Sequence, residues 1–201
     1  MKRLISLVLV LVMCLGLFSV TATAADMPFT DVKPTAFYAK PVQWAVENNI
    51  TSGLSATKFG PDETCTCGQV VTFLWRACGK PEPTQTTHNF TDVKSTAFYY
   101  KAMLWAVETG VTSGISSTKF APDEDCTRGQ VVTFLHRAAG KPAPTQTSHN
   151  FTDVKSSAFY YKAMLWAVEN KITVGVTKTT FKPEDTCTRG QVVIFLYRSF
   201  G

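Results

Sequence analysis

The feature that most constrains this chain is an internal repeat with a period of 61 residues. The tetrapeptide WAVE begins at Trp44, Trp105 and Trp166, and the pentapeptide FTDVK recurs at the same interval. Self-similarity at a fixed period is typical of repeat folds, in which a small unit buries its apolar face against its neighbours. The division that follows is repeat 1 over 26–79, a linker over 80–89, repeat 2 over 90–140, a linker over 141–150 and repeat 3 over 151–201.

Residues 1–25 stand outside the repeats and have the pattern of a secretory signal peptide. Lys2 and Arg3 precede an apolar run, and Ala22 and Ala24 provide small residues for cleavage. Such a segment is removed from the mature protein. We therefore expect a secreted chain at the cell wall or cell surface, with no membrane association after cleavage.

The charge of the chain argues against nucleic acid as a partner. The formal net charge of +5 falls to +3 without Lys2 and Arg3, and the basic residues form no cluster. Electrostatic capture of nucleic acid needs a concentrated basic surface.

Each repeat predicts two helices separated by a polar loop. In repeat 2 the first spans 99–109, with Trp105 on its apolar face and Gly110 as its left-handed terminator. The second begins within the heptad CTRGQVV, which starts at Cys126, and ends at Gly140. One such hairpin cannot bury its own apolar face, so the sequence predicts a mainly all-α fold of three helix-loop-helix repeats packed on one another.

The second helix of each repeat has a predicted capping box at its start. A threonine at the N-cap accepts from an early backbone N–H, and a glutamine three residues later bonds back to the N-cap. The pairs are Thr66 with Gln69, Thr127 with Gln130 and Thr188 with Gln191.

The residue after each capping threonine is the strongest candidate for function. Arg128 and Arg189 occupy the first helical position, where Cys67 stands in repeat 1. A cation at an exposed helix N-terminus is unfavourable by about 0.3–1 kcal/mol, so its presence suggests an anionic ligand. The alternative is a structural salt bridge from Arg128 across a repeat interface. The candidate carboxylates are those of Asp92, Asp123 and Asp125.

The combined pattern resembles the S-layer homology repeat. Repeat 2 reads FTDVKSTAFYYKAMLWAVETGVTSG and then FAPDEDCTRGQVVTFLHRAAG, and all three repeats share this order of motifs. The resemblance covers essentially the whole chain after residue 25, and such repeats usually occur in threes. It implies a pseudo-threefold bundle whose inter-repeat grooves bind a secondary cell-wall polysaccharide, often through the carboxylate of a pyruvate ketal.

The resemblance also assigns roles to particular residues. It implies that Arg128 and Arg189 read the carboxylate and that Gly114 and Gly175 give close backbone approach. Phe98 and Phe159, like Phe37, stand where the family has tryptophan, so stacking on sugar is weaker or shared with the adjacent tyrosines. Cys67, grouped with Gly53 of the same repeat, marks a degenerate site.

Five cysteines lie beyond the signal segment, and the sequence predicts no metal site among them. Cys65, Cys126 and Cys187 sit just before the caps, where small apolar side chains are expected. Cys67 and Cys78 are at opposite ends of one helix, about 16 Å apart, which excludes a disulfide between them. An intermolecular disulfide through either one is left open.

These observations predict a non-catalytic, non-covalent cell-wall anchoring module without a cofactor, with two competent grooves out of three. Its expected ligand is an acidic, pyruvylated wall polysaccharide, and surface-layer proteins are further candidate partners. One alternative is a cell-surface assembly protein that uses the same bundle for protein–protein contacts. A wall-active hydrolase is disfavoured, because no paired carboxylates, Ser–His pair or metal motif is present.

Overall fold

The computed structural model describes residues 27–201, so the expected signal peptide lies outside the described residues. Each repeat contributes one helix of nine residues and a longer one of 11 or 12. The helices are α1 (Ala39–Glu47), α2 (Cys67–Ala77), α3 (Tyr100–Glu108), α4 (Arg128–Ala138), α5 (Tyr161–Glu169) and α6 (Arg189–Phe200). Within residues 27–201, none of the helices has the length and apolar character required to span a bilayer.

The ends of the helices follow the local sequence. The short helices are followed by left-handed residues, Asn49, Gly110 and Lys171, with φ of 55°, 70° and 58°. All three predicted capping boxes are present at the starts of α2, α4 and α6. In α4 the Gln130 amide donates to Thr127 Oγ1 at 3.3 Å, and the Gln130 side chain accepts from Thr127 N at 2.8 Å.

The long helix of each repeat packs on the short helix of the following repeat. Thus α2 packs on α3, α4 on α5, and α6 returns to α1, which closes the bundle. The three long helices also contact one another in the centre. The predicted mainly helical bundle of three repeats is confirmed, and its cohesion comes from contacts between repeats.

Three equivalent cysteines form the axis of the bundle. The amide of Cys65 donates to the carbonyl of Cys187, Cys126 donates to Cys65, and Cys187 donates to Cys126, each at 2.9 Å. All three side chains are fully buried, as expected for apolar positions before the caps. This cyclic set of hydrogen bonds brings the starts of the three long helices together.

Each repeat also ties its FTDVK segment to the loop between its helices. In repeat 2 the Asp92 carboxylate accepts from Phe120 N at 3.0 Å and Ala121 N at 2.8 Å, and Phe120 is buried. Burial alone would raise the pKa of Asp92, but these hydrogen bonds outweigh it and lower the pKa. Asp31 and Asp153 make the same contacts in their own repeats.

The linkers pack against the short helices that follow them. Thr84 N donates to Glu108 Oε2 at 2.9 Å, and the Tyr100 hydroxyl donates to Thr86 O at 3.1 Å. His88 completes this arrangement by accepting from Phe90 N at 3.0 Å. The second linker repeats these contacts, so both linkers follow defined paths over the bundle.

Candidate ligand-binding grooves

Arg128, the first residue of α4, extends across the repeat boundary into repeat 3. Its Nε donates to Phe181 O at 2.9 Å, and its Nη1 lies 3.5 Å from Gln191 Oε1. The guanidinium carbon lies 5.1 Å and 5.3 Å from the ring centroids of Phe181 and Phe195. The cation is therefore held by backbone, amide and aromatic groups of the next repeat.

Arg189 occupies the same setting one repeat further round the axis. Its Nε donates to Phe59 O at 2.9 Å and its Nη1 to Gln69 Oε1 at 3.4 Å, with the rings of Phe59 and Phe73 beside it. Its Nη2 is buried and has no hydrogen-bond partner. A buried donor left without a partner carries a desolvation penalty that an entering acceptor would relieve.

Both arginines are more buried than the helix-terminus argument predicts. Only 4% of Arg128 and 3% of Arg189 is exposed, so neither side chain lies at a solvent-exposed helix N-terminus as expected. The reason is the aromatic pair and carbonyl that each next repeat supplies. Burial lowers the pKa of both guanidinium groups from its usual value, because desolvation disfavours the charged form.

Neither guanidinium forms a salt bridge. Across residues 27–201 the ion pairs are Lys101–Glu82 and Lys182–Asp185, both on the surface. The proposed pairing of Arg128 with Asp92, Asp123 or Asp125 is therefore not found. Its contacts go to repeat 3, whereas those three aspartates belong to repeat 2. Each site thus holds a cation without a carboxylate in contact.

Arg128 lines a groove of about 280 Å³, called here the Arg128 groove. Repeat 3 supplies Gly175, Gln191 and Phe195, and repeat 1 supplies Phe37. The predicted residues Arg128 and Gly175 are therefore brought together, with an exposed aromatic ring at the edge.

The equivalent groove in front of Cys67 has a volume of about 310 Å³ and is called here the Cys67 groove. It is lined by Gly114, Gln130 and Phe134 of repeat 2 and by Phe159 of repeat 3. Gln130 and Phe134 are equivalent to the residues that contact Arg128 in repeat 3. The surroundings of the arginine are thus present in this groove, but cysteine stands in place of the arginine.

This arrangement corrects the expected grouping of Gly53 with Cys67. Cys67 shares its groove with Gly114 and Phe159. Gly53 belongs to repeat 1, which supplies the groups around Arg189. By the threefold relation, Phe98 is the aromatic residue that corresponds to the Arg189 site. Gly53 lies at a different site from Cys67 because each long helix starts against the following repeat, a relation that local sequence does not encode.

The conformation of the backbone requires glycine at Gly114 and Gly175. Gly114 and Gly175 have φ of 75° and 87°, where a side chain is strained. A Cβ on Gly175 would lie 2.5 Å from the ring of Phe151, and one on Gly114 would lie 2.5 Å from the carbonyl of Lys119. They therefore shape the loop at the groove edge.

The aromatic residues divide into core and surface. The three repeated tryptophans were predicted to lie in the core: Trp105 and Trp166 are buried there, whereas Trp44 is only partly buried against it. Phe37, Phe98 and Phe159 are 78%, 66% and 64% exposed. Large apolar rings so exposed at groove edges are suited to contact with a ligand.

Two further sets of residues lie at these sites, and the sequence predicted neither there. Gln69 and Gln191 cap helices and also accept from Arg189 and Arg128. Arg137 and Arg198 bond the loop carbonyls of Val111 and Ile172 at 3.1 Å, and they also line the Cys67 and Arg128 grooves. Glutamine and arginine recur at these positions in every repeat, and this recurrence could have indicated a role beyond capping. Residues 27–201 contain no cluster of three or more His, Cys, Asp or Glu side chains placed to bind a metal ion.

Comparison with known proteins gives a family match over most of the chain. The model of the S-layer homology domain matches residues 28–70, 89–132 and 150–193.

Three curated relatives are similar over most of this chain. An endoglucanase of Bacillus sp. (strain KSM-635) is 29% identical over 94% of this chain and 21% of its own length. A cell surface protein of Thermoanaerobacter kivui is 33% identical over 70% of this chain and 19% of its own length. The surface-layer 125 kDa protein of Lysinibacillus sphaericus is 27% identical over 90% of this chain and 16% of its own length. The chain therefore spans about a fifth or less of each relative.

Proposed function

The chain belongs to the S-layer homology domain family, and we propose that it is a non-catalytic module that anchors to the cell wall by binding an acidic polysaccharide. Two of the relatives are named as surface proteins, which supports a location at the cell surface. The proposed ligand group is a carboxylate, such as that of a pyruvate ketal on a wall sugar. The proposed binding sites are the Arg128 groove and the Arg189 site.

The observation that carries this proposal is a buried arginine with no carboxylate partner beside a groove. A buried charge is costly unless it is paired. The Arg128 guanidinium donates to a carbonyl and an amide oxygen, neither of them charged, and Arg189 retains a buried donor with no partner. An entering carboxylate would supply the missing negative charge and can accept two parallel N–H bonds from a guanidinium.

The surroundings of the arginine suit a sugar. Phe37 exposes an aromatic ring at the edge of the Arg128 groove. The polar side chains of Thr173, Gln191 and Arg198 lie in the same groove among the apolar ones of Val174, Val176 and Ile194. An apolar ring face next to hydrogen-bonding groups matches the mixed surface of a pyranose. The groove volume of about 280 Å³ admits a terminal residue of a polymer, with the rest of the polymer outside.

Two sites strengthen retention beyond a single contact. A wall polymer presents many copies of its acidic sugar, so binding at one site raises the effective concentration at the other. We therefore propose that the pair of sites sets the retention of the chain on the wall, while the Cys67 groove contributes less.

A catalytic role has no support in the histidines, which are the usual general bases. Each of the three bonds a backbone group. His88 and His149 accept from Phe90 N and Phe151 N, and His136 bonds Pro142 O. The similarity to the endoglucanase extends over only 21% of that protein.

The test is co-sedimentation of the purified chain with wall sacculi from the organism that encodes it. Sacculi would be used untreated and after mild acid hydrolysis, which removes ketals. We expect the chain to sediment with untreated sacculi and to remain in the supernatant with treated ones. Binding that survives the acid unchanged would refute the ketal as ligand. No binding to untreated sacculi would refute anchoring and favour the protein-assembly alternative.

A further inference from the structure

The side chain of Cys67 has a different neighbour from those of the equivalent arginines. It is the first residue of α2 and lies beside Cys126, one of the three axial cysteines. The two chain segments are held together by backbone hydrogen bonds. Cys67 N donates to Glu124 O and Cys126 N donates to Cys65 O, each at 2.9 Å, in an antiparallel bridge between Thr66 and Asp125.

The two thiols are therefore fixed next to each other across a repeat boundary. The bridge places them on neighbouring segments, and both are free thiols in this structure. Cys67 is 6% exposed and lines the Cys67 groove, whereas Cys126 is fully buried and does not line it. A reagent entering the groove would meet Cys67 first.

We propose that Cys67 and Cys126 form a reversible disulfide that ties repeat 1 to repeat 2 at the position where the other two sites hold an arginine. The inference is independent of polysaccharide binding. The oxidant is a small-molecule or protein disulfide, as found in secretory and extracellular environments.

The exchange proceeds in two balanced steps. The Cys67 thiolate attacks one sulfur of the external disulfide, forms a mixed disulfide and releases the first thiolate. Cys126 then loses its proton and attacks the sulfur of Cys67, forming the internal bond and releasing the second thiolate. The external disulfide is reduced to two thiols, and the protein loses two hydrogens.

The two thiols are suited to these different roles. The contact with Cys126 lowers the pKa of the Cys67 thiol, and the α2 N-terminus favours a negative charge at that position. The same contact, together with burial, raises the pKa of Cys126. Cys67 is thus the attacking thiol and Cys126 the one that resolves the mixed disulfide.

The remaining cysteines are poor competitors. Burial raises the pKa of the Cys65 and Cys187 thiols to about 12, which leaves almost no thiolate at neutral pH. Cys78 lies just after the far end of the same helix as Cys67. The site is therefore specific to one pair.

The test equilibrates the folded chain in buffers of oxidised and reduced glutathione. Free thiols are then blocked with N-ethylmaleimide in denaturant, and the cross-linked peptides are identified by mass spectrometry. We expect one internal bond, between the peptides of Cys67 and Cys126, and a mass lower by two hydrogens. The native chain should remain oxidised at a ratio of reduced to oxidised glutathione at least about tenfold higher than the denatured chain tolerates.

Matched variants keep the result interpretable. C67S and C126S should each lose the bond, and C78S should keep it, with circular dichroism showing that all three retain their helices. Oxidation should raise the Tm of the parent chain and leave that of C67S unchanged. A different pairing, glutathione attached to Cys67 without closure onto Cys126, or equal oxidation of native and denatured chains would each overturn the proposal.

Discussion

The Arg128 groove and the Cys67 groove are built from equivalent positions, and their largest chemical difference is at the residue that starts the long helix. Three other positions also differ: Val174, Val176 and Ile194 in the first are Ser113, Ile115 and Thr133 in the second. Their volumes are about 280 and 310 Å³. Gln191 and Phe195 in the first correspond to Gln130 and Phe134 in the second. The surroundings of the arginine are thus retained where the arginine is absent.

This difference separates the needs of the fold from those of binding. α2 begins at Cys67 with the same capping box that starts α4 at Arg128. The helix, its cap and the groove therefore form without a guanidinium. The arginine is dispensable for the local structure, which favours a role toward an external partner.

The largest expected effect is the loss of wall binding when both arginines are neutralised. In R128Q/R189Q each site loses a charge-assisted contact of about 1.5–3 kcal/mol. We therefore expect binding to sacculi to weaken by at least about 100-fold. Co-sedimentation isotherms measure this, with K101Q as the control that removes an exposed cation from a surface ion pair. Equal weakening in K101Q would show that net charge alone matters.

The reverse substitution should convert the Cys67 groove into a third site. C67R places a guanidinium where Phe120, Gln130 and Phe134 already stand as they do around the other arginines. We expect binding to strengthen by about tenfold, the value of one further charge-assisted contact. C67S is the control, because it removes the thiol without adding charge and should leave the affinity unchanged. If C67R folds and binds no better, the groove is not an anion site.

The exposed phenylalanines at the groove edges should contribute less to wall binding than the arginines do. Phe37 lies at the Arg128 groove and Phe159 at the Cys67 groove. F37A should weaken wall binding by about three- to tenfold, since contacts of aromatic rings contribute roughly 0.5–1.5 kcal/mol. F159A should have little effect on binding. Both side chains are largely exposed, so neither variant should change the Tm by much. Equal losses in the two variants would place the ligand outside the arginine sites.

The smallest difference in stability between repeats is expected at Asp31, Asp92 and Asp153. Each of these aspartates, called here an aspartate clamp, accepts hydrogen bonds from the loop between the helices of its repeat. Hydrogen bonds from the loop amides outweigh burial and lower the pKa values of Asp31, Asp92 and Asp153 below those of the unfolded chain. The stability they provide is therefore present above the unfolded pKa, about 3.9, and is lost as pH falls through the folded pKa.

D31N, D92N and D153N should each lower the Tm at pH 7 by about 3 °C and reduce its decline under acid. Thermal melts between about pH 7 and 2 measure this. A much larger loss in one repeat would show that the clamps are not equivalent.

The sequence predicted the elements that depend on local signals. The capping boxes, the left-handed Gly110 after α3 and the buried Trp105 all follow from residue type and spacing. The arginine positions at the helix starts were also correct.

Features that depend on neighbours distant in sequence could not be predicted from one repeat. Each long helix packs on the next repeat, so the grouping of groove residues follows the closure of the bundle. The burial of Arg189 depends on Phe59, which lies 130 residues earlier. The approach of Cys67 to Cys126 arises in the same way, from the backbone bridge between segments of repeats 1 and 2.

The central claim is that the two buried arginines bind an external anion and do not stabilise the bundle. The variant R128M/R189M keeps the buried side-chain stems and removes both charges, so its wall binding and its Tm test this claim together. Because an unpaired buried charge is costly, we expect the Tm to stay within a few degrees or to rise, while binding falls by at least about 100-fold. A Tm lower by about 10 °C or more with wall binding retained would contradict the account.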